Sequence, residues 1–242
     1  MNEKTKKFFL ISLVVIVAGV LDFFTETLFQ EVLHAPFFFD MIFAMAVLFV
    51  YGPIASMFVY VVNVTIVCIR MKITYGSMDF VYLYSLSAFA IIFITWLFVR
   101  KKKNLKKSVN FTFIYILTAS VCAALCSCVI SGLINFFAYN MSARSLDVEK
   151  IIFAFTGEQL GVLASSILGR IPITVLDRII TTFAGFGLSI LYTKLLYRWG
   201  GGTTVTLVTI KNEHEKISPH PYDSRFAFHT RVLHKKNRRG IL

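Results

Sequence analysis

Two segments decide how this chain is read: Pro36-Phe37-Phe38-Phe39-Asp40 and Pro172-Ile173-Thr174-Val175-Leu176-Asp177-Arg178. Each begins at a proline and reaches an aspartate, followed in the second by Arg178, and each leads into an apolar run, 41–51 and 179–193. A carboxylate inside a lipid-spanning helix costs at least ~2.5–3.5 kcal/mol on the insertion scale, so it faces protein or water and marks a site. The echo therefore predicts two carboxylates held just inside two membrane spans.

The composition around these segments agrees. Mean hydropathy is +0.71. Of the 242 residues, 57% are apolar and 16% are charged, and the charges cluster between long apolar runs. Such a chain is an integral membrane protein rather than a soluble domain with a large core. The runs predict an all-α bundle of six membrane-spanning helices at 8–29, 36–51, 53–70, 78–99, 109–139 and 171–197. The first is too long for a signal peptide, and no small-x-small cleavage site follows it.

Lys4, Lys6 and Lys7 precede the first span, Arg100-Lys101-Lys102-Lys103 and Lys106-Lys107 follow the fourth, and the tail 199–242 holds eight Lys/Arg against three Asp/Glu. An even span count puts all three clusters on one side, which the positive-inside rule makes the cytoplasm. The localisation expected is a multi-pass protein of the cell membrane with both termini cytoplasmic. The net charge of +12 is then a topology signal directed at the lipid bilayer, and no nucleic-acid partner is expected.

Residues 151–169 are apolar enough to imitate a span, but Glu158 and Gln159 interrupt them. A seventh span would also carry the basic tail to the outer side. The segment is therefore read as an interfacial or re-entrant helix on the outer face. The chain divides into a membrane domain, 1–198, and a basic cytoplasmic tail, 199–242, disordered or a small accessory element.

Functional candidates lie at the outer ends of the spans. Asp40, Asp177, Arg178, Arg170 and Glu158 share the outer half under this topology, with Phe37, Phe38, Phe39, Tyr75, Phe80, Tyr82 and Tyr139 nearby. A few polar groups among aromatic residues describe a small-molecule site. Ion pairing within the protein, for instance Asp40 with Arg178, is the alternative for each. Asn63 sits in the middle of the third span, as a helix-to-helix hydrogen bond or a ligand contact. In the fifth span Ala119, Ala123, Ser127, Ser131 and Asn135 form one small-residue row, and Ser120, Ala124, Cys128 and Gly132 another. Such rows let helices pack closely or dock another membrane subunit. The four cysteines have no ligand partners at metal spacing, so no metal or cofactor is expected. No phosphate loop, zinc-protease motif or nucleophile elbow occurs, so no enzyme is expected.

The stretch Pro36 to Ile42, with Tyr51-Gly52-Pro53-Ile54-Ala55-Ser56 and Asn63, resembles the second and third helices of the substrate-binding S components of energy-coupling factor vitamin transporters. Arg170-Ile171-Pro172 to Asp177-Arg178-Ile179-Ile180 resembles the start of their last helix. The resemblance covers about 1–198. It implies a compact six-helix bundle that captures a vitamin or similar micronutrient on its outer face. A separate membrane coupling subunit and two ATPase subunits would then drive transport. A membrane sensor or a structural assembly protein on the same bundle is the alternative.

Overall fold

The computed structural model describes residues 3–76, 79–100, 109–138, 150–154 and 161–199. The described residues are mostly helical, with no strand among them. Helix α1 spans Glu3–Thr27 and runs on into a π-helical turn, Leu28–Val32. Helices α2 (Ile42–Tyr51) and α3 (Pro53–Tyr75) follow, then a 3₁₀ turn, Asp79–Leu83, and α4 (Tyr84–Val99). Helices α5 (Val109–Ala138), α6 (Val162–Leu168) and α7 (Ile171–Trp199) complete the set.

Five stretches are long and apolar enough to cross a membrane: Phe8–Val32, Pro53–Tyr75, Phe80–Val99, Asn110–Ala138 and Val162–Leu195. These apolar helices indicate a membrane-embedded protein. Their outward faces carry Phe8, Phe58, Ile73, Leu86, Phe137 and Leu191 in exposed positions, a surface suited to lipid.

The second predicted span is corrected. Helix α2 begins at Ile42, not at Pro36, and has ten residues. At 1.5 Å per residue it is about 15 Å long, half of a hydrocarbon core. Residues 33–41 are not helical, and Phe39 has φ +46°. A bulky side chain in the left-handed region is strained, and that conformation interrupts any helix running from Pro36. Asp40 therefore precedes α2 instead of lying one turn inside it.

Helix α2 is apolar on every side because it is enclosed. It packs on α1, α3, α4 and α7, and Ala44, Met45 and Leu48 are fully buried. The other long helices follow one another around it, α1 packing on α3, α3 on α4, α4 on α5, and α5 on α7, with an apolar groove left between α1 and α7. Gly52, with φ +96°, allows α2 to turn into α3 across a single residue, as the Tyr51-Gly52-Pro53 link predicts. At Gly185 a Cβ would meet Met45 Cβ at 2.5 Å and the Ile42 carbonyl at 2.9 Å, so the α2–α7 crossing requires glycine there.

Both small-residue rows of α5 are used inside the bundle. Ala119, Ala123, Ser127, Ser131 and Asn135 are buried, as are Ser120, Ala124 and Cys128. Gly132 abuts Ile167 of α6, and its carbonyl accepts from Ser166 Oγ at 3.2 Å. These rows serve internal packing and are not free to dock a subunit. Helix α6, with seven residues, is about 10 Å long and lies against this end of α5. Beside it Ile151 and Ile152 pack with Phe38 and Ile173 as a small second core. Glu158, Gln159, Tyr139 and the tail from 200 onward lie outside the described residues.

Candidate functional site

The two opening segments meet, but as unlike partners. Pro172 to Arg178 is regular helix at the start of α7, whereas Phe38 to Asp40 is non-helical loop. Non-helical backbone at membrane depth needs partners for its N–H groups, since lipid offers none. Asp177, fully buried, supplies them: its Oδ1 accepts from Phe38 N at 3.1 Å and Phe39 N at 3.0 Å. A second carboxylate treats the next stretch in the same way. Asp22 of α1, also fully buried, accepts from Phe43 N and Ala44 N, each at 2.8 Å. These are donors of the first turn of α2, left over at every helix start, and Met41 offers no side-chain cap. Asp22 is thus an N-cap delivered from another helix. Asn63 Nδ2 donates to the Asp40 carbonyl at 3.2 Å, and Ser56 Oγ to that of Ala44 at 2.7 Å.

Held this way, Asp40 faces Arg178. Arg178 Nη2 donates to Asp40 Oδ1 at 3.0 Å, and Arg178 Nε lies 3.2 Å from Asp177 Oδ2, out of hydrogen-bond alignment. Tyr60 Oη sits 3.5 Å from Asp40 Oδ2. The Asp40–Arg178 ion pair between loop and last helix therefore exists.

Beside this pair lies a cavity of about 50 Å³. Its polar walls are Asp40 and Tyr60 on one side, Arg170, Thr174 and Arg178 of the α7 segment on another, and Tyr84, Ser87, Ser127 and Ser131 on the third. The hydroxyls of the third wall are linked: Ser87 to Ser127 at 2.8 Å, and Ser131 to Ser87 at 3.1 Å. Tyr84 Oη donates to Asn135 Oδ1 at 2.9 Å, and Arg170 Nη2 donates to Tyr84 Oη at 3.4 Å.

Of the residues predicted from sequence, Asp40, Arg170 and Arg178 line the cavity. Asp177 and Asn63 do not; they hold the loop that carries Asp40. Glu158 lies outside the described residues. The expected aromatic lining is corrected. Phe38 is present, but Tyr75, Phe80 and Tyr82 are largely exposed, and Tyr60 and Tyr84 take their place. Tyr60, Tyr84, Ser87, Thr174 and the capping role of Asp22 escaped the sequence reading. The spacing Arg170, Thr174, Arg178 was a visible signal, since residues four apart share a helix face. Comparison with family models, curated proteins and solved structures returns no match.

Proposed function

We propose that this chain is the solute-capture subunit of an energy-coupling factor importer, with both termini in the cytoplasm, a site in the cell membrane and six membrane crossings, the second made by the non-helical stretch 36–41 together with the short helix α2. The observation that carries the reading is the partly open cavity where Asp40, Arg170 and Arg178 converge beside a loop pinned by the buried Asp177. Buried charges are expensive, and a bundle needing only stability is served by apolar packing. About 50 Å³ holds on the order of four waters, so it suits a small solute or the polar head of a larger one. The sequence has no phosphate loop, so ATP-derived energy comes from separate ATPase subunits through a membrane coupling subunit. The chain itself is not an enzyme.

The test has two arms: affinity purification from native membranes, and solute uptake into vesicles holding this chain alone. The reading expects a coupling subunit and ATPases to co-purify, a small molecule to be retained, and no accumulation by the chain alone. Accumulation without ATP and without partners refutes it in favour of a secondary transporter. A retained solute with a signalling partner instead of ATPases favours a membrane sensor.

A further inference from the structure

The charges around the cavity are unequally compensated, and this names the solute's chemical class; the inference rests on the capture reading. Asp177 has two backbone N–H donors and lies 3.2 Å from Arg178. Asp40 has Arg178 at 3.0 Å. Arg170 differs. It is 5% exposed, its contacts are the Tyr84 hydroxyl at 3.4 Å and the Tyr84 ring at 5.8 Å, and its Nε has no acceptor. Among the described residues no carboxylate lies within ion-pair distance of it. Arginine cannot shed its proton to escape burial, so the charge stays and calls for an anion.

Arg178 adds to this demand, because its Nη1 also lacks an acceptor. Arg170, Thr174 and Arg178 follow one another at intervals of four, so two cations with a hydroxyl between them form one wall of the cavity. The opposite wall is neutral hydroxyl: Tyr84, Ser87, Ser127 and Ser131. We propose that the captured solute is a carboxylic acid whose carboxylate sits between Arg170 and Arg178. A planar guanidinium fork matches a carboxylate in two parallel hydrogen bonds. A cavity of about 50 Å³ accommodates a carboxylate and an atom or two beyond it. A phosphate is bulkier and sets up to two negative charges beside Asp40.

The experiment uses the full chain purified from native membranes in mild detergent. Released small molecules are identified by mass spectrometry. Thermal midpoints are compared with acetate, with its neutral analogue acetamide, and with inorganic phosphate, for the wild type, Arg170→Gln and Arg170→Lys. The retained molecule is expected to be a carboxylic acid, with occupancy at least tenfold lower in Arg170→Gln and partly kept in Arg170→Lys. Acetate raises the wild-type midpoint, acetamide does not, and Arg170→Gln removes the difference. If Arg170→Gln is not monodisperse, Thr174→Val is read instead: at least threefold loss of retained acid is expected, and unchanged retention refutes the placement. A neutral or cationic retained molecule, or full retention in Arg170→Gln, overturns this proposal and leaves capture standing. Phosphate acting as well as acetate overturns the choice of carboxylate. Nothing retained, with no difference between acetate and acetamide, overturns both this proposal and the capture reading.

Discussion

Replacing Asp22 isolates the device that permits a broken helix inside the bundle. Its two oxygens accept from different donors, Oδ1 from Phe43 N and Oδ2 from Ala44 N. Asp22→Asn keeps one acceptor and turns the other into an NH₂ facing an N–H. One charge-assisted bond is lost and a buried donor is orphaned, a cost of about 2–3 kcal/mol. Asp22→Ala loses both bonds, at about 1.5–3 kcal/mol each, or about 3–6 kcal/mol together. The expected order is wild type, Asn, Ala, with Asn near the midpoint. Unfolding free energy measured by steric trapping in mild detergent gives the magnitude. Hydrogen exchange on peptides covering 41–46 gives the location, since the freed amides belong to the first turn of α2. Two results refute the reasoning: Asp22→Ala within about 0.5 kcal/mol of wild type, or a destabilisation that leaves exchange at 41–46 unchanged.

Arg178→Gln removes the charge facing both Asp40 and Asp177 and is expected to cost about 3–5 kcal/mol by the same unfolding assay; a double-mutant cycle with Asp40→Asn should return a coupling of about 0.5–3 kcal/mol, and zero coupling would deny the ion pair. Gly185→Ala drives a methyl into Met45 and is expected to destabilise by about 1–3 kcal/mol, whereas Gly187→Ala, with nothing within 4 Å, is expected to stabilise by up to about 1 kcal/mol; equal effects on melting would contradict the crossing. His34 is exposed with φ +49°, so His34→Gly is expected to be neutral or stabilising by up to about 1 kcal/mol, while Phe39→Gly, although it relieves φ +46°, loses a buried ring that meets Phe29 edge-to-face at 4.5 Å and is expected to cost about 3 kcal/mol, both read by the same unfolding assay.

The long helices were legible because hydropathy is a sum over twenty residues, and single polar positions do not overturn it. The Gly52-Pro53 turn was legible because its two residues are restricted in complementary ways. The break at 33–41 was not. Phe37, Phe38 and Phe39 have the composition of a helix interior, and only a carboxylate 138 residues further along the chain lets Phe39 leave the helix with its N–H bonded. A local window contains no trace of that partner. The same blindness explains Tyr75, Phe80 and Tyr82. Their aromaticity pointed to a site, but their direction depends on how α3 packs on α4 and α4 on α5, the second crossing carrying the Ser87–Ser127–Ser131 hydroxyl contacts. Spacing along one helix was an unused signal, since Arg170, Thr174 and Arg178 at intervals of four share a face.

Carboxylates and arginines divide the labour in this bundle, and the division separates structure from site. Asp22 and Asp177 are wholly buried and turned toward backbone N–H groups, so their charges serve chain that could not otherwise leave helical geometry. Asp40 is carried on that chain, and Arg178 joins it to α7. Arg170 of the cavity wall lies beyond this system: among the described residues its neighbour is the Tyr84 ring and hydroxyl, with no carboxylate in ion-pair range. Removing Asp22 or Asp177 should therefore reduce stability and solute retention together, because Asp177 holds the loop that carries Asp40 and Asp22 holds the helix start that follows it. Removing Arg170 should reduce retention while leaving stability little changed or improved, because an unmatched buried charge is a cost the empty protein carries. If Arg170→Gln instead destabilises the solute-free protein as strongly as Asp177→Ala, then Arg170 belongs to the scaffold, and the separation of structural carboxylates from a solute-facing arginine does not hold.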